Sequence, residues 1–281
     1  MSQPTAPTPR NRPPAITSYW ERTHWPLQGL YFLLPLILVY EVGLALLATG
    51  DDIVARGILR AVFELLGVTG YYLPGLLVIV FLLAAHFIRG DPWQPEFRLL
   101  GLMAGEAMLL ALPLFVFAQV LVREPVIAEP LARLLTDAGE AVSKTGAGAA
   151  GVAGVTDWTT GLVFSIGAGI YEELLFRLIA IALLHLALVD LIGLPRQHGG
   201  ALAVFASALA FALYHFEEPN PLQWAAFWAG FDIARFIFYL VAGIYLAGVY
   251  LLRGFGIVAA THAIYNILVF TFVFLQRPPA G

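Results

Sequence analysis

Long runs of apolar residues, broken by short polar stretches, organise this chain. Segments of that kind fall at residues 27–49, 71–88, 99–122, 158–188, 201–215, 234–252 and 255–275. About 20 apolar residues in a helix span the ~30 Å hydrocarbon core of a bilayer. The pattern therefore predicts an all-α, polytopic transmembrane helix bundle of about seven spans, or eight if 222–252 divides. The fourth segment is too long for a simple perpendicular span and is expected to tilt or extend past the lipid. Residues 50–70 carry Arg56, Arg60 and Glu64 among apolar positions, which predicts an interfacial helix. Tyr19, Trp20, Trp25 and Tyr31 stand where an interfacial aromatic belt is expected.

The polar stretches divide the chain further. Residues 1–18 are proline-rich and polar, without the apolar core and cleavage site of a signal peptide, and read as a disordered tail. Residues 19–157 form the N-terminal transmembrane helices. They end in a charged surface helix and a Gly/Ala-rich linker. Residues 158–275 form a second helix bundle, and 276–281 a short tail. Glu217-Glu218-Pro219-Asn220-Pro221 is a strong breaker after the fifth segment.

Composition sharpens the class. The 281 residues are 60% apolar and only 12% charged, against about 45–50% and about 25% in soluble chains. That excludes an ordinary soluble enzyme. A net charge of −4 without a basic stripe excludes a nucleic-acid binder. There is no cysteine, so there is no disulfide, thiol nucleophile or Cys-ligated zinc. Arg10, Arg12, Arg22, Arg89, Arg98, Arg196 and Arg253 would share one side of the membrane. Arg56, Arg60, Arg123, Arg133, Lys144 and Arg277 would share the other. So even a division leaves orientation open.

Ionisable groups at lipid depth cost several kcal/mol (roughly), and so are functional candidates. Glu173 and Arg177 are four apart, with the acid first, which suits an intrahelical ion pair. Glu172 points about 100° away and lacks that partner. It is a candidate general base; the competing reading is a structural charge cluster. His215 closes the fifth segment and, alone, fits an interfacial or capping role. His262 and Asn266 share a face in the last segment, either as an interhelical hydrogen-bond pair or as polar groups aimed into a cavity. If these faces converge, they form a hydrolytic set: a base for water, a proton shuttle and donors for an oxyanion. Glu41 and Glu106 are weaker candidates, each able to line the same cavity or to pair with an arginine. Asp232 and Arg235, three apart, are expected to pair with each other, and His185 and Asp190 to be interfacial.

Three motifs carry a resemblance. Glu172-Glu173…Arg177, Phe211…His215 and His262…Asn266 stand in the order of a Glu-Glu-x-x-x-Arg helix, a Phe-x-x-x-His helix and a His-x-x-x-Asn helix. Together with the glycine spacing of Gly243 and Gly248, they resemble the CPBP group of intramembrane proteases, the CAAX protease and bacteriocin-processing family. The resemblance covers roughly residues 158–275. It implies that Glu172 activates water with help from His215. Glu173 would be held by Arg177, and His262 and Asn266 would stabilise the oxyanion. It further implies an intramembrane endopeptidase acting on a peptide or protein at the membrane, most simply in a bacterial inner membrane. No cofactor is expected. A zinc-dependent version, through Glu172, His215 and His262, is the minor alternative. Leu178 departs from the glycine that follows the arginine in many relatives. The competing classes are a non-catalytic immunity or scaffold protein on the same fold and a transporter, which would need inverted repeats that are not visible. No Gly-x-Ser-Gly motif marks a serine protease, and no Gly-x-Gly-Asp marks an aspartyl one.

Overall fold

The computed structural model describes residues 19–47, 53–123, 158–216 and 231–275, and every regular element among them is a helix. A short α1 (Tyr19–Thr23) leads into α2 (Pro26–Leu47). Then follow α3 (Val54–Leu65), α4 (Leu73–Arg89) and α5 (Phe97–Arg123). The second half comprises α6 (Trp158–Leu191), α7 (Arg196–Tyr214), α8 (Ile233–Arg253) and α9 (Phe255–Leu275). Among the described residues, six helices are long and apolar enough to cross a membrane: α2, α5, α6, α7, α8 and α9. The apolar α4 has 17 residues, about 26 Å at 1.5 Å per residue. Lipid offers no partner for free backbone groups, so helices throughout are the expected solution. The tail at 1–18, the surface helix and linker before 158, the breaker at 217–221, the start of the aromatic stretch at 222 and the tail at 276–281 lie outside the described residues.

Small residues bring the helices together. Gly161, Ser165 and Gly169 repeat every fourth residue and put one stripe of α6 against α9. A Cβ on Gly169 would lie 2.7 Å from the Ala259 carbonyl oxygen and collide with the Ala263 backbone; one on Gly161 would enter the Phe270 ring. Such close approach is the usual role of small residues between membrane helices. Gly243 does the same between α8 and α7, where a Cβ would stand 3.1 Å from the Ala208 carbonyl oxygen. Gly254, at φ 83, makes the one-residue break between α8 and α9. Few residues other than glycine adopt that backbone region.

One expectation is corrected, at Asp232, and two features go beyond what periodicity predicts. At residues 50–70 the expected helix is present, and its Arg56 is fully buried. Its guanidinium donates to Glu41 Oε2 at 3.0 Å and to the Tyr71 carbonyl at 2.6 Å. The polar face of α3 meets an acidic group inside α2, a partner that amphipathic periodicity does not identify. The long α6 also departs from a regular helix. It widens into π-helical turns at Leu174–Ala180 and Leu186–Leu191. A π turn displaces a carbonyl from its normal partner, and the Ser207 hydroxyl donates to the Phe176 carbonyl at 2.5 Å. The corrected expectation is the Asp232–Arg235 pair: the Asp232 side chain accepts from the backbone N–H groups of Ala234 and Arg235, capping α8, while the Arg235 guanidinium reaches the His215 carbonyl instead.

Candidate active site

The glycine stripe of α6 continues, four residues on, to Glu173, and thereby delivers its carboxylate to α9. Glu173 Oε1 accepts from His262 Nδ1 at 2.8 Å. Glu173 Oε2 pairs with Arg177 Nε at 3.1 Å, and neither side chain has any exposed surface. A second Arg177 nitrogen, Nη2, donates to the Gly243 carbonyl at 3.1 Å, and the guanidinium lies 4.5 Å over the Phe211 ring. The expected Glu173–Arg177 pair is thus present. It also ties α6 to α7, α8 and α9.

Phe211 connects the cluster. Its carbonyl accepts from His215 Nδ1 at 2.8 Å. Its ring packs edge-on against Phe176, His215 and His262. A carbonyl oxygen only accepts, so His215 Nδ1 carries the proton and Nε2 presents a lone pair when the ring is neutral. The same holds for His262, whose Nδ1–H faces the Glu173 carboxylate that pairs with Arg177.

Both Nε2 atoms face Glu172. Glu172 Oε2 is 3.9 Å from His215 Nε2 and 3.8 Å from His262 Nε2. Neither Glu172 oxygen has a hydrogen-bond partner among the described residues, although the side chain is fully buried. Separations of 3.8–3.9 Å are too long for direct hydrogen bonds. They admit one water oxygen within ~2.8 Å of both atoms of either pair. A buried carboxylate facing two imidazole lone pairs needs a donor between them, and water supplies two.

His215 is held from the other side as well. Tyr239 on α8 stacks on its ring, with centroids 3.7 Å apart and planes 19° from parallel. Arg235 Nη2 donates to the His215 carbonyl at 2.7 Å. Neither residue was a candidate on sequence. Arg235 and Tyr239 are four apart and so share a face, but an aromatic near a span end reads as a belt residue. Asn266 is half-buried, one turn beyond His262, and no hydrogen bond joins it to the carboxylates among the described residues.

The weaker candidates lie elsewhere. Glu41 binds Arg56 and Tyr171. Glu106 pairs with Arg253 through both oxygens and accepts from the Tyr19 hydroxyl at 2.5 Å. Burial beside Glu106 pushes the Tyr19 phenol up to about 12. The half-buried His185 and the exposed Asp190 face each other at 3.8 Å at the end of α6. Leu178 is buried and lines a cavity of about 380 Å³ with Ala182, Tyr250 and Phe255. Among the described residues, no group of three or more His, Asp or Glu side chains is arranged to hold a metal ion. Zinc bonds of ~2.0–2.1 Å would set tetrahedral donors roughly 3.4 Å apart. The Glu172–imidazole separations exceed that, so the donor set does not fit zinc as it stands.

Residues 154–268 match the family model for Type II CAAX prenyl endopeptidase Rce1-like. This segment is thus similar to Rce1-like domains. All three motifs lie inside it, and the Rce1-like family is of the CAAX/CPBP intramembrane protease type. With its six candidate spans, the chain is an integral membrane protein. Glu41, Arg56, Glu106 and Tyr71 precede the matched Rce1-like segment. No curated protein and no solved structure matches the chain.

Proposed function

We propose that this protein is a glutamate-type intramembrane endopeptidase, in which Glu172 is the base and His215 its partner. The observation that carries the reading is a fully buried Glu172 carboxylate with no hydrogen-bond partner among the described residues, faced by two imidazole nitrogens at a one-water separation.

In the proposed reaction, a water between these groups gives a proton to Glu172, or to His215 Nε2. Its oxygen bonds to the carbonyl carbon of the scissile peptide. The carbonyl π electrons move to oxygen, which becomes the oxyanion. On collapse the C–N bond breaks, and the proton held by Glu172 or His215 passes to the leaving nitrogen. His262 and Asn266 would stabilise the oxyanion. Because His262 Nδ1–H is committed to Glu173, Nε2 can donate to an oxyanion only when the ring carries a second proton. The Glu173–Arg177 pair is placed to orient that ring, as carboxylates orient catalytic histidines elsewhere. The substrate would be a peptide or protein segment at the membrane, and the setting a bacterial plasma membrane.

The test uses reconstituted protein and a quenched fluorescent peptide library, with wild type beside Glu172→Gln and His262→Ala. Loss of turnover in both variants is expected. Equal background turnover in all three would remove the enzyme reading. A strong chelator is the companion arm: retained turnover supports the metal-free mechanism, and loss restored by zinc supports the zinc-dependent version.

A further inference from the structure

The Glu172 carboxylate makes no hydrogen bond to a described residue, yet the side chains of both its chain neighbours are fixed. Glu173 is held by Arg177 and His262. On the other side stands Tyr171, fully buried, whose hydroxyl donates to Glu41 Oε1 at 2.5 Å. The other oxygen of Glu41 accepts from Arg56, which also donates to the Tyr71 carbonyl. The Tyr171 ring packs 5.3 Å from that of Tyr40, and the Arg56 guanidinium lies 4.3 Å over Tyr71. Gly75 lets α4 close on the cluster, for a Cβ there would stand 2.8 Å from Glu41 Oε1 and 3.2 Å from the Tyr171 hydroxyl. Thus α2, α3 and α4 converge around the residue before Glu172, and the turn at Tyr71 holds Arg56 in the same network. All of these contributors precede the matched family segment.

We propose that the Tyr171–Glu41–Arg56 network is a positioning device that fixes the rotation of α6 and so aims the Glu172 carboxylate; this rests on the reading of Glu172 as the base. Side-chain tips lie ~5 Å from a helix axis, so a 10° rotation moves them by about 0.9 Å. Catalytic constellations tolerate ~0.5 Å. Residues 171 and 172 project about 100° apart. A clamp on the first therefore resists rotation without occupying the water site of the second. The adjacent π turn from Leu174 makes such a clamp useful, because the regular hydrogen-bond register ends there. A buried ion pair is weak evidence for a purely stabilising role, since its desolvation offsets much of its attraction.

The test measures kcat and KM on one peptide selected by the wild-type enzyme from the quenched library. Tyr171→Phe keeps the ring and removes only the hydroxyl. A tenfold or larger fall in kcat is expected, with KM within about twofold and the folded helix content unchanged. Glu41→Gln retains an acceptor for Tyr171 and is expected to keep several-fold more kcat than Glu41→Leu. If Glu41→Leu fails to fold because Arg56 is stranded, Tyr171→Phe against Glu41→Gln still decides. Wild-type kcat in folded Tyr171→Phe overturns the proposal. The parallel Glu172→Gln control separates the two readings. An inactive Glu172→Gln beside a fully active Tyr171→Phe sinks only the positioning role, whereas an active Glu172→Gln sinks both.

Discussion

Arg177→Met removes a buried cation without changing side-chain length much. It strands the Glu173 carboxylate in a site with no exposed surface. Breaking one half of a buried pair costs about 3–5 kcal/mol, because the other charge stays desolvated. The Gly243 carbonyl also loses its donor, and Phe211 loses the overlying guanidinium. Against a total stability of ~5–15 kcal/mol, this variant should be near the limit of folding. Glu173→Gln should cost a comparable amount, since it strands Arg177. The double variant removes both charges at once and should regain ~2 kcal/mol or more over the sum of the singles. Equilibrium unfolding in detergent micelles, followed by tryptophan fluorescence, gives all four corners of the cycle. Coupling below ~0.5 kcal/mol would refute the reasoning, since that is the additivity expected of independent sites. The pair would then be a proximity without energetic consequence.

Further outcomes follow from other contacts. Ser207→Ala removes the hydroxyl that satisfies the Phe176 carbonyl in the π turn, and should cost about 1–3 kcal/mol in the same unfolding assay; a neutral result would mean that the carbonyl finds another donor. Gly169→Val should overpack the α6–α9 seam by roughly 1–3 kcal/mol and lower kcat by separating Glu173 from His262, and full activity would contradict the seam's role. Tyr19 lies outside the spans, and its phenol is pushed up to about 12 by burial first and by Glu106 second. A raised folded value means its contribution is complete below pH 10 and lost as pH rises toward 12. Ultraviolet titration of Tyr19→Phe against wild type should therefore lose a component near pH 12, and loss of one near pH 10 would be the contrary result.

Much of this arrangement was legible before any coordinate. Apolar run length placed the helices within a few residues, because lipid leaves the backbone few choices. Four-residue spacing placed Glu173 with Arg177, since a single helix determines that geometry. What spacing cannot carry is the identity of partners on other helices. The burial of Arg56 was not legible because its partner, Glu41, lies in α2. Arg235 was expected to pair with Asp232, its nearest acid in sequence, yet it binds a carbonyl of α7's last turn. The π turns in α6 leave no mark in composition, and the seat of Tyr239 on His215 exists only once α7 and α8 pack together. That Glu172, His215 and His262 could converge was legible from the cost of ionisable groups at lipid depth and from helix-face spacing, with motif resemblance added, whereas their one-water spacing comes only from geometry.

The central claim is that Glu172 activates water. Glu172→Gln preserves volume and leaves the Glu173–His262–Arg177 contacts in place. In reconstituted protein, peptide cleavage should fall on the order of 10²–10⁴-fold, the usual contribution of a general base, with helix content and unfolding midpoint close to wild type. Cleavage by folded Glu172→Gln at the wild-type rate would contradict the account.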